Sequence, residues 1–148
     1  MAESTPRFEP IAAVVCDEIR EEISQKEIFI GVYSTHIVVH RFPLLLPLQV
    51  HIIGKFVGRG KLSFEMRISH VGQDGGVSAR ATLDVPEPTG EHEHLGLSLP
   101  RLPVQIAAPG TLFISFRQGE EGWRVLKTLP VLDPAAAAKF ASAPAQPS

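Results

Sequence analysis

The sequence predicts an all-β protein, an antiparallel β-sandwich of seven to nine short strands. Glycine occurs 12 times and proline 13 times in 148 residues, and together they divide the chain into short segments. Apolar and polar residues alternate within these segments, as they do in strands with one buried face. We therefore expect a single sandwich domain over residues 1–132 and a short helix or disordered tail over residues 133–148.

The strongest alternation lies between residues 48 and 85. Leu62, Phe64, Met66 and Ile68 alternate with polar residues in segment 61–69, and segment 77–85 repeats the pattern. Both segments are therefore predicted to be strands with one buried and one wet face.

A three-residue loop, Gly58-Arg59-Gly60, joins segment 48–57 to segment 61–69 and has the composition of a hairpin turn. Pairing Val57 with Lys61 then sets Ile52 opposite Met66, so that inward-facing residues meet. We predict a three-stranded meander over residues 48–85. In it His51 faces outward opposite Arg67, and the large residues of segment 61–69 face the alanines and Leu83 of segment 77–85.

On the N-terminal side of the meander, the sequence predicts a hairpin of residues 11–18 and 27–34, with a turn at 24–26. The charged segment 17–23 leaves a helical turn as an alternative. A further short strand, or a continuation of the second strand, is expected at 37–39.

The C-terminal flank contains weak strands at 95–99 and 104–107, which Pro100 and Pro103 place at a sheet edge. A final hairpin of residues 111–117 and 123–129 has an ambiguous register, because Lys127 interrupts its apolar face. Asp133 followed by Pro134 is typical of a helix N-terminus. Residues 141–148 are rich in Ala, Pro and Ser, and we expect disorder there.

Composition excludes several classes of function. The net charge is −2 with both signs interspersed, which argues against nucleic-acid binding. Cys16 is the single cysteine, so a disulfide framework or a thiolate metal cluster is not expected. The start of the chain lacks the features of a secretory signal, and the longest apolar stretch, 42–50, contains two prolines and is too short to span a membrane. We expect a cytoplasmic protein without a membrane partner.

The sequence Glu91-His92-Glu93-His94 is the one candidate metal motif. On a strand, His92 and His94 would point the same way, about 7 Å apart. A metal site needs a third or fourth ligand, however, and the preceding residues 86–90 have loop composition. The pattern favours a solvated loop over a metal site.

No convincing catalytic set is visible, and we expect neither an enzyme nor a cofactor. Asp17, Glu18, Glu21 and Glu22 could supply paired carboxylates, but an exposed, ion-paired surface is the favoured interpretation. Asp17 interrupts an apolar stretch and could bond Arg20 or a turn amide. Cys16 has no cationic neighbour in the sequence and is predicted to be a buried thiol.

Surplus apolar residues indicate a binding surface. In Phe42–Pro47, three consecutive leucines cannot all face one sheet interior. Either this segment is a buried crossover, which we favour, or Leu44 or Leu46 is exposed as an interaction patch. Ile53 and Phe113 also fall on nominal outer faces. The candidate interaction residues are therefore Leu44, Leu46, Ile53 and Phe113.

The segments Val15–Glu22, Ile30–Tyr33 and Phe42–Pro47 contain the runs Cys-Asp-Glu-Ile-Arg-Glu, Gly-Val-Tyr and Phe-Pro-Leu-Leu-Leu-Pro. This first third of the chain resembles an uncharacterised bacterial family, a domain of unknown function. The resemblance implies a bacterial cytosolic protein with one β-domain. It implies no reaction, ligand or catalytic residue.

These observations lead to a functional hypothesis with two alternatives. The leading one is a non-enzymatic interaction or assembly module that binds itself or another protein. The first alternative is a sandwich that binds a small ligand, a sugar or a metal, which a pocket joining Trp123 or Tyr33 to convergent polar groups would favour. The second is a hydrolase that uses the acidic segment 17–22.

Overall fold

The structure is a computed structural model that describes residues 6–24, 26–58, 60–70, 76–85 and 94–141. These residues form ten strands and one helix. Their bounds are β1 Arg7–Glu21, β2 Glu27–Val32, β3 Ile37–Val38, β4 Leu44–Val57, β5 Gly60–His70, β6 Gly76–Val85, β7 His94–Ser98, β8 Leu102–Ile106, β9 Gly110–Gln118, β10 Arg124–Leu132 and α1 Pro134–Ala141. The predicted all-β sandwich is confirmed, with ten described strands instead of seven to nine.

The strands form two sheets of five strands each. In the first sheet, β1 lies between β2 and β4, and the far side of β4 pairs with β8 along its first half and with β7 along its second. The second sheet has the order β3-β10-β9-β5-β6, in which the β3–β10 pair is parallel and the other pairs are antiparallel.

Inward-facing apolar side chains of the two sheets form the core. Phe8 is fully buried, and its ring centroid lies 4.9 Å from that of Phe56 and 5.9 Å from that of Phe116 in the other sheet. The largest fully buried side chains also include Leu48, Ile52, Met66, Ile68, Ile114 and Leu129. Burying each such side chain contributes about 1.5–3 kcal/mol, so this double layer is the main source of stability.

One part of the predicted meander is wrong. Strand β4 belongs to the first sheet and β5 to the second, so Val57 does not pair with Lys61, nor Ile52 with Met66. Gly58 and Gly60 have φ values of +77° and +121°, a conformation that favours glycine, and they take the chain across from one sheet to the other. Ile52 and Met66 are both buried, but in opposite layers of the core.

The other part of the meander is confirmed. Strands β5 and β6 pair with Phe64 opposite Ala81, Met66 opposite Ala79 and Leu62 opposite Leu83. The large side chains of the central strand therefore lie beside small ones on the edge strand, which fills the layer evenly.

The flanks agree with the sequence in outline. Strands β1 and β2 form the predicted hairpin, and because β1 runs to Glu21, the helical alternative for residues 17–23 is wrong. The register of β9 and β10 shifts between Val125 and Lys127, a bulge that explains why Lys127 interrupts the alternation. Asp133 caps α1, since its Oδ1 accepts a hydrogen bond of 2.7 Å from the Ala136 amide.

Within the ranges given above, no helix has the length and apolar character needed to cross a membrane.

Candidate functional site

The end of the β1–β2 hairpin folds back over the outer face of the first sheet. We call this part, residues 17–24 and 26–32, the flap. The bend lies at Asp17 and Gly31, where Gly31 has φ +69° and its Cα lies directly against the Asp17 carboxylate. The Tyr33 hydroxyl donates a hydrogen bond of 2.5 Å to Asp17 Oδ1 and closes the bend.

The underside of the flap contacts outward-facing residues of β4. The Ile19 amide donates to Gln49 Oε1 at 2.9 Å, and the Phe29 ring centroid lies 5.0 Å from that of His51. As a result His51 is only 6% exposed, although its chain neighbours Val50 and Ile52 face the core on the opposite side. The predicted surface position of His51 opposite Arg67 is wrong, because its cross-strand neighbours are Val14 and Ser98.

Beneath the flap, His51, Ser98 and Glu27 form a polar cluster that the sequence did not reveal. His51 Nδ1 lies 2.8 Å from Ser98 Oγ and 3.1 Å from Glu27 Oε2, and the Ser98 hydroxyl is 3.2 Å from the same Glu27 oxygen. A nucleophilic serine requires the base on one ring nitrogen and the orienting carboxylate on the other. Here both partners occupy Nδ1, so the cluster fastens the flap to the sheet and lacks the arrangement of a catalytic triad.

Three of the four acidic residues of segment 17–22 make separate local contacts. Asp17 bonds Tyr33, Glu18 pairs with Arg20 at 3.3 Å, and Glu22 accepts from Ser24 at 3.2 Å. Asp17 therefore bonds a tyrosine rather than Arg20 or a turn amide. These local contacts do not bring two carboxylates together for acid–base chemistry.

Cys16 is buried, as predicted. Its Sγ lies 3.5 Å from the Glu18 carbonyl oxygen and 3.6 Å from that of Gln49. Burial is the largest cause that raises the pKa of this thiol, and the neighbouring Asp17 charge raises it further. A raised pKa disfavours the thiolate, which is the nucleophilic form.

The candidate metal residues fall largely outside the described structure. His92 lies outside the described residues, and of His94 the backbone is described, opposite Lys55 at the start of β7. Among the residues that are described, no three His, Cys, Asp or Glu side chains are close enough together to hold a metal ion.

The four candidate interaction residues lie at three separate places. Leu44 and Leu46 share the inward face of Leu48 at the start of β4, where Leu46 packs against the core and Leu44 is partly exposed. Ile53 is half-buried on the outer face of the first sheet, between Ala12 and Gly96. Phe113 is half-buried on the outer face of the second sheet, between Ser69 and Thr128.

The predicted buried crossover at Phe42–Pro47 is wrong. From Leu44 onwards it is the first half of β4, where it pairs with β8. Leu45 points away from the core and is 63% exposed, more than either of the leucines chosen from the sequence.

The clearest exposed apolar group lies instead on the solvent side of the flap. Ile28, Ile30 and Val32 are 42%, 38% and 49% exposed and follow one another at every second position of β2. Within the described part of the chain, β2 pairs only with β1 and so forms an edge of the first sheet. We call these three side chains the β2 row.

The outer face of the second sheet carries a charged and aromatic group, which we call the arginine face. Arg80, Glu65 and Arg117 are cross-strand neighbours on β6, β5 and β9. Arg80 Nε lies 2.8 Å from Glu65 Oε2, and Arg117 Nη2 lies 2.7 Å from Glu65 Oε1. The guanidinium carbons of Arg117 and Arg67 lie 4.5 Å and 4.2 Å from the centroid of the Trp123 ring.

An open cleft of about 420 Å³ lies beside this group. Its polar lining consists of the side chains of Ser63, Glu65, Arg80, Thr82 and Arg117. Gly119 forms one wall with φ +56°, and a side chain there would meet no atom within 4 Å. The cleft therefore opens freely to solvent on this side.

The chain matches no known family model, and no similar curated protein or solved structure was found. The resemblance of residues 15–47 to an uncharacterised bacterial family stays a prediction.

Proposed function

We propose that this protein is a non-enzymatic β-sandwich that self-associates, and that the β2 row is the contact surface between two copies. The observation that carries the proposal is the exposure of Ile28, Ile30 and Val32 on an edge strand. Edge strands of monomeric proteins are usually protected by charges, prolines or a covering element, because an apolar edge pairs with other chains.

The β2 row suits a second copy of itself. A two-fold axis at Ile30 sets the two Ile30 side chains against each other and places Ile28 of each copy against Val32 of the other. In such an isologous contact every apolar side chain meets an apolar one. Glu18 and Arg20, which lie opposite Ile30 and Ile28 on β1, form a polar margin on one side of the row.

The size of the row determines how strong the association should be. Stable dimers bury about 1,200–2,000 Å² in total, and three partly exposed side chains per copy provide much less. We therefore expect a weak, concentration-dependent dimer.

Sedimentation velocity over a range from micromolar to millimolar chain tests the proposal. We expect the weight-average sedimentation coefficient of the unmodified protein to rise with concentration. Ile30→Lys should abolish that rise, because it brings two charges together at the axis. Ile11→Lys is the matched control, since Ile11 is 63% exposed on β1, outside the segment that pairs with β2.

Two outcomes contradict the proposal. One is a monomer at every concentration. The other is a dimer that Ile30→Lys and Ile11→Lys weaken equally, because the contact would then depend on general surface hydrophobicity rather than on the β2 row.

A cytoplasmic location is part of the proposal. The single cysteine is buried and has no cysteine partner in the chain, which is the usual state of thiols in a reducing compartment. Cell fractionation should recover the protein with cytosolic markers, and recovery with secreted or membrane markers would contradict this location.

A further inference from the structure

The arginine face carries more positive than negative charge. Three guanidinium groups, those of Arg67, Arg80 and Arg117, lie around the carboxylate of Glu65 and the ring of Trp123. Of the carboxylates in the described part of the chain, Glu65 is the one that pairs with Arg80 and Arg117. The hydrogen bond from Arg80 and the charge of Arg117 lower the pKa of Glu65, so it is ionised at neutral pH and cancels one of three positive charges.

Within the part of the chain that the structure describes, the guanidinium groups of Arg80 and Arg117 also keep unused hydrogen-bond donors. Each guanidinium has five N–H groups, and the contacts of Arg80 and Arg117 with Glu65 each join one nitrogen to one oxygen. Among the described residues, the buried Nε of Arg67 has no hydrogen-bond partner. Arg67 is not among the residues that line the cleft, so a ligand bound there would use the donors of Arg80 and Arg117.

One arginine of the cleft, Arg117, is held in place before any ligand arrives. Arg117 is fixed between the Trp123 ring and a Glu65 oxygen, and Arg67 lies over the same ring. A cation over an indole is stabilised by the ring electrons, by about 0.5–2 kcal/mol. Preorganised groups lose little rotational freedom on binding, so more of the interaction energy appears as affinity.

The cleft beside these groups has the size of a small-molecule site and a polar lining. Its volume of about 420 Å³ lies in the range of ligand pockets. The hydroxyls of Ser63 and Thr82, 3.2 Å apart, face it together with Arg80 and Arg117. Hydroxyls both donate and accept, whereas the fork of a guanidinium matches the oxygens of a carboxylate or a phosphate.

We propose that this cleft binds a small hydroxylated anion, with its carboxylate or phosphate group on the guanidiniums of Arg80 and Arg117 and its hydroxyls on Ser63 and Thr82. The site lies on the second sheet, away from the β2 row, so it is independent of self-association. An acidic sugar has this chemistry, and it can carry either kind of oxyanion.

Trp123 provides a direct readout, because it is the single tryptophan of the chain and contacts two of the arginines. Its fluorescence is followed during titration with glucuronate, glucose 6-phosphate and glucose, which carry a carboxylate, a phosphate and no charge. We expect a saturable change with one or both anions and none with glucose. Comparison of the two anions then identifies the preferred oxyanion.

Variants separate a specific site from general attraction. Arg80→Gln should weaken binding about tenfold or more, because it removes a charge-assisted hydrogen bond. The Arg80 side chain is 79% exposed, so this variant should fold normally. Arg41→Gln is the matched control: it removes the same charge from another exposed position and should leave the affinity unchanged.

Glu65→Gln gives a result of opposite sign. It removes the carboxylate that competes with the ligand for Arg80 and Arg117, so anion binding should tighten. If the contacts of Glu65 with Arg80 and Arg117 served only to join the strands, this variant would lower the stability of the protein and no anion would bind.

Three outcomes would overturn the proposal. They are the absence of a saturable signal with both anions for the folded protein, equal binding of glucose, and an equal loss of affinity in Arg80→Gln and Arg41→Gln. Calorimetry with the same three compounds detects any binding that leaves the fluorescence of Trp123 unchanged.

Discussion

The side chain of Gln118 makes two hydrogen bonds to the backbone of Phe8 and so joins the two sheets. The Phe8 amide donates to Gln118 Oε1 at 2.8 Å, and Gln118 Nε2 donates to the Phe8 carbonyl oxygen at 2.7 Å. Gln118 is on β9 of the second sheet and Phe8 is on β1 of the first. The carboxamide has the same donor and acceptor as a peptide group, and thus takes the place of a neighbouring strand that no described residue supplies on this side of β1.

We expect Gln118→Ala to lower the free energy of unfolding by about 2–4 kcal/mol. Gln118 is 6% exposed and Phe8 is fully buried, so the substitution leaves one buried N–H and one buried C=O without partners. Each unpaired group costs about 1–3 kcal/mol. Urea denaturation followed by circular dichroism measures the change.

Gln105→Ala is the control for this prediction, because Gln105 is an exposed glutamine on the edge strand β8. It should change stability by less than about 0.5 kcal/mol. Similar losses from both glutamines would mean that the bridge between the sheets contributes nothing measurable.

Gly54 on β4 lies close against Phe8 and Glu9 of the neighbouring strand β1. A methyl group at this position would come within 2.5 Å of Phe8 Cζ and would also meet the backbone oxygen of Glu9. Because a backbone oxygen cannot move aside cheaply, Gly54→Ala should destabilise the protein by about 3 kcal/mol. Gly122→Ala is the matched control, since no atom lies within 4 Å of its added methyl, and equal midpoints in urea would refute the prediction.

The sequence predicted strands well because alternation is local, but it could not assign strands to sheets. Ile52 and Met66 face inward whether their strands pair side by side or lie in opposite layers. The alternation of inward-facing and outward-facing residues therefore supported a β4–β5 hairpin that does not exist. The deciding feature is the conformation of Gly58 and Gly60, where the loop composition suits a hairpin and a sheet-to-sheet connection alike.

The burial of His51 could not be predicted from the sequence either. It has the alternation of an outward-facing residue, and it does face outward from its sheet. It is buried because Phe29 and Glu27 are brought over it by the bend at Asp17 and Gly31. A contact between residues more than twenty positions apart, produced by one glycine with positive φ, leaves no periodic signal.

The arginine face was accessible to sequence reasoning only in part. Arg80, Glu65 and Arg67 were correctly placed on the wet faces of β5 and β6. Arg117 and Trp123 belong to the final hairpin, whose bulge made the register ambiguous, and their positions beside Glu65 and Arg67 depend on the pairing of β5 with β9. That pairing joins strands distant in the sequence, and alternation alone does not specify it.

Tyr33 should remain protonated above the pH at which exposed tyrosines ionise. Burial is the main cause that raises its pKa, and the hydrogen bond to Asp17 and the charge of that carboxylate add to it. A group whose pKa is raised in the folded state contributes its stabilisation fully below the unfolded value, about 10, and loses it as the pH rises towards the folded value. Stability should therefore decrease from about pH 10 upwards.

Tyrosinate absorbance tests this prediction at a single residue, because Tyr33 is the only tyrosine in the chain. In the native protein the absorbance should rise at higher pH than in denaturant. Asp17→Asn should shift the rise back towards the ordinary value, since it removes the charge beside the hydroxyl. A native titration that coincides with the denatured one would show that the Tyr33 hydroxyl is neither buried nor bonded to Asp17.

Cys16 reports whether the flap stays closed. Its thiol lies beside the bend, against the carbonyl oxygens of Glu18 and Gln49, and burial raises its pKa. Alkylation by iodoacetamide at mildly alkaline pH should therefore be far slower in the native protein than in denaturant. Phe29→Ala removes the ring that packs on His51 and should speed alkylation by lowering the free energy of flap opening.

Phe113→Ala is the matched control on the other sheet. If the two variants accelerate alkylation only in proportion to their loss of global stability, Cys16 is exposed by complete unfolding and the flap does not open independently.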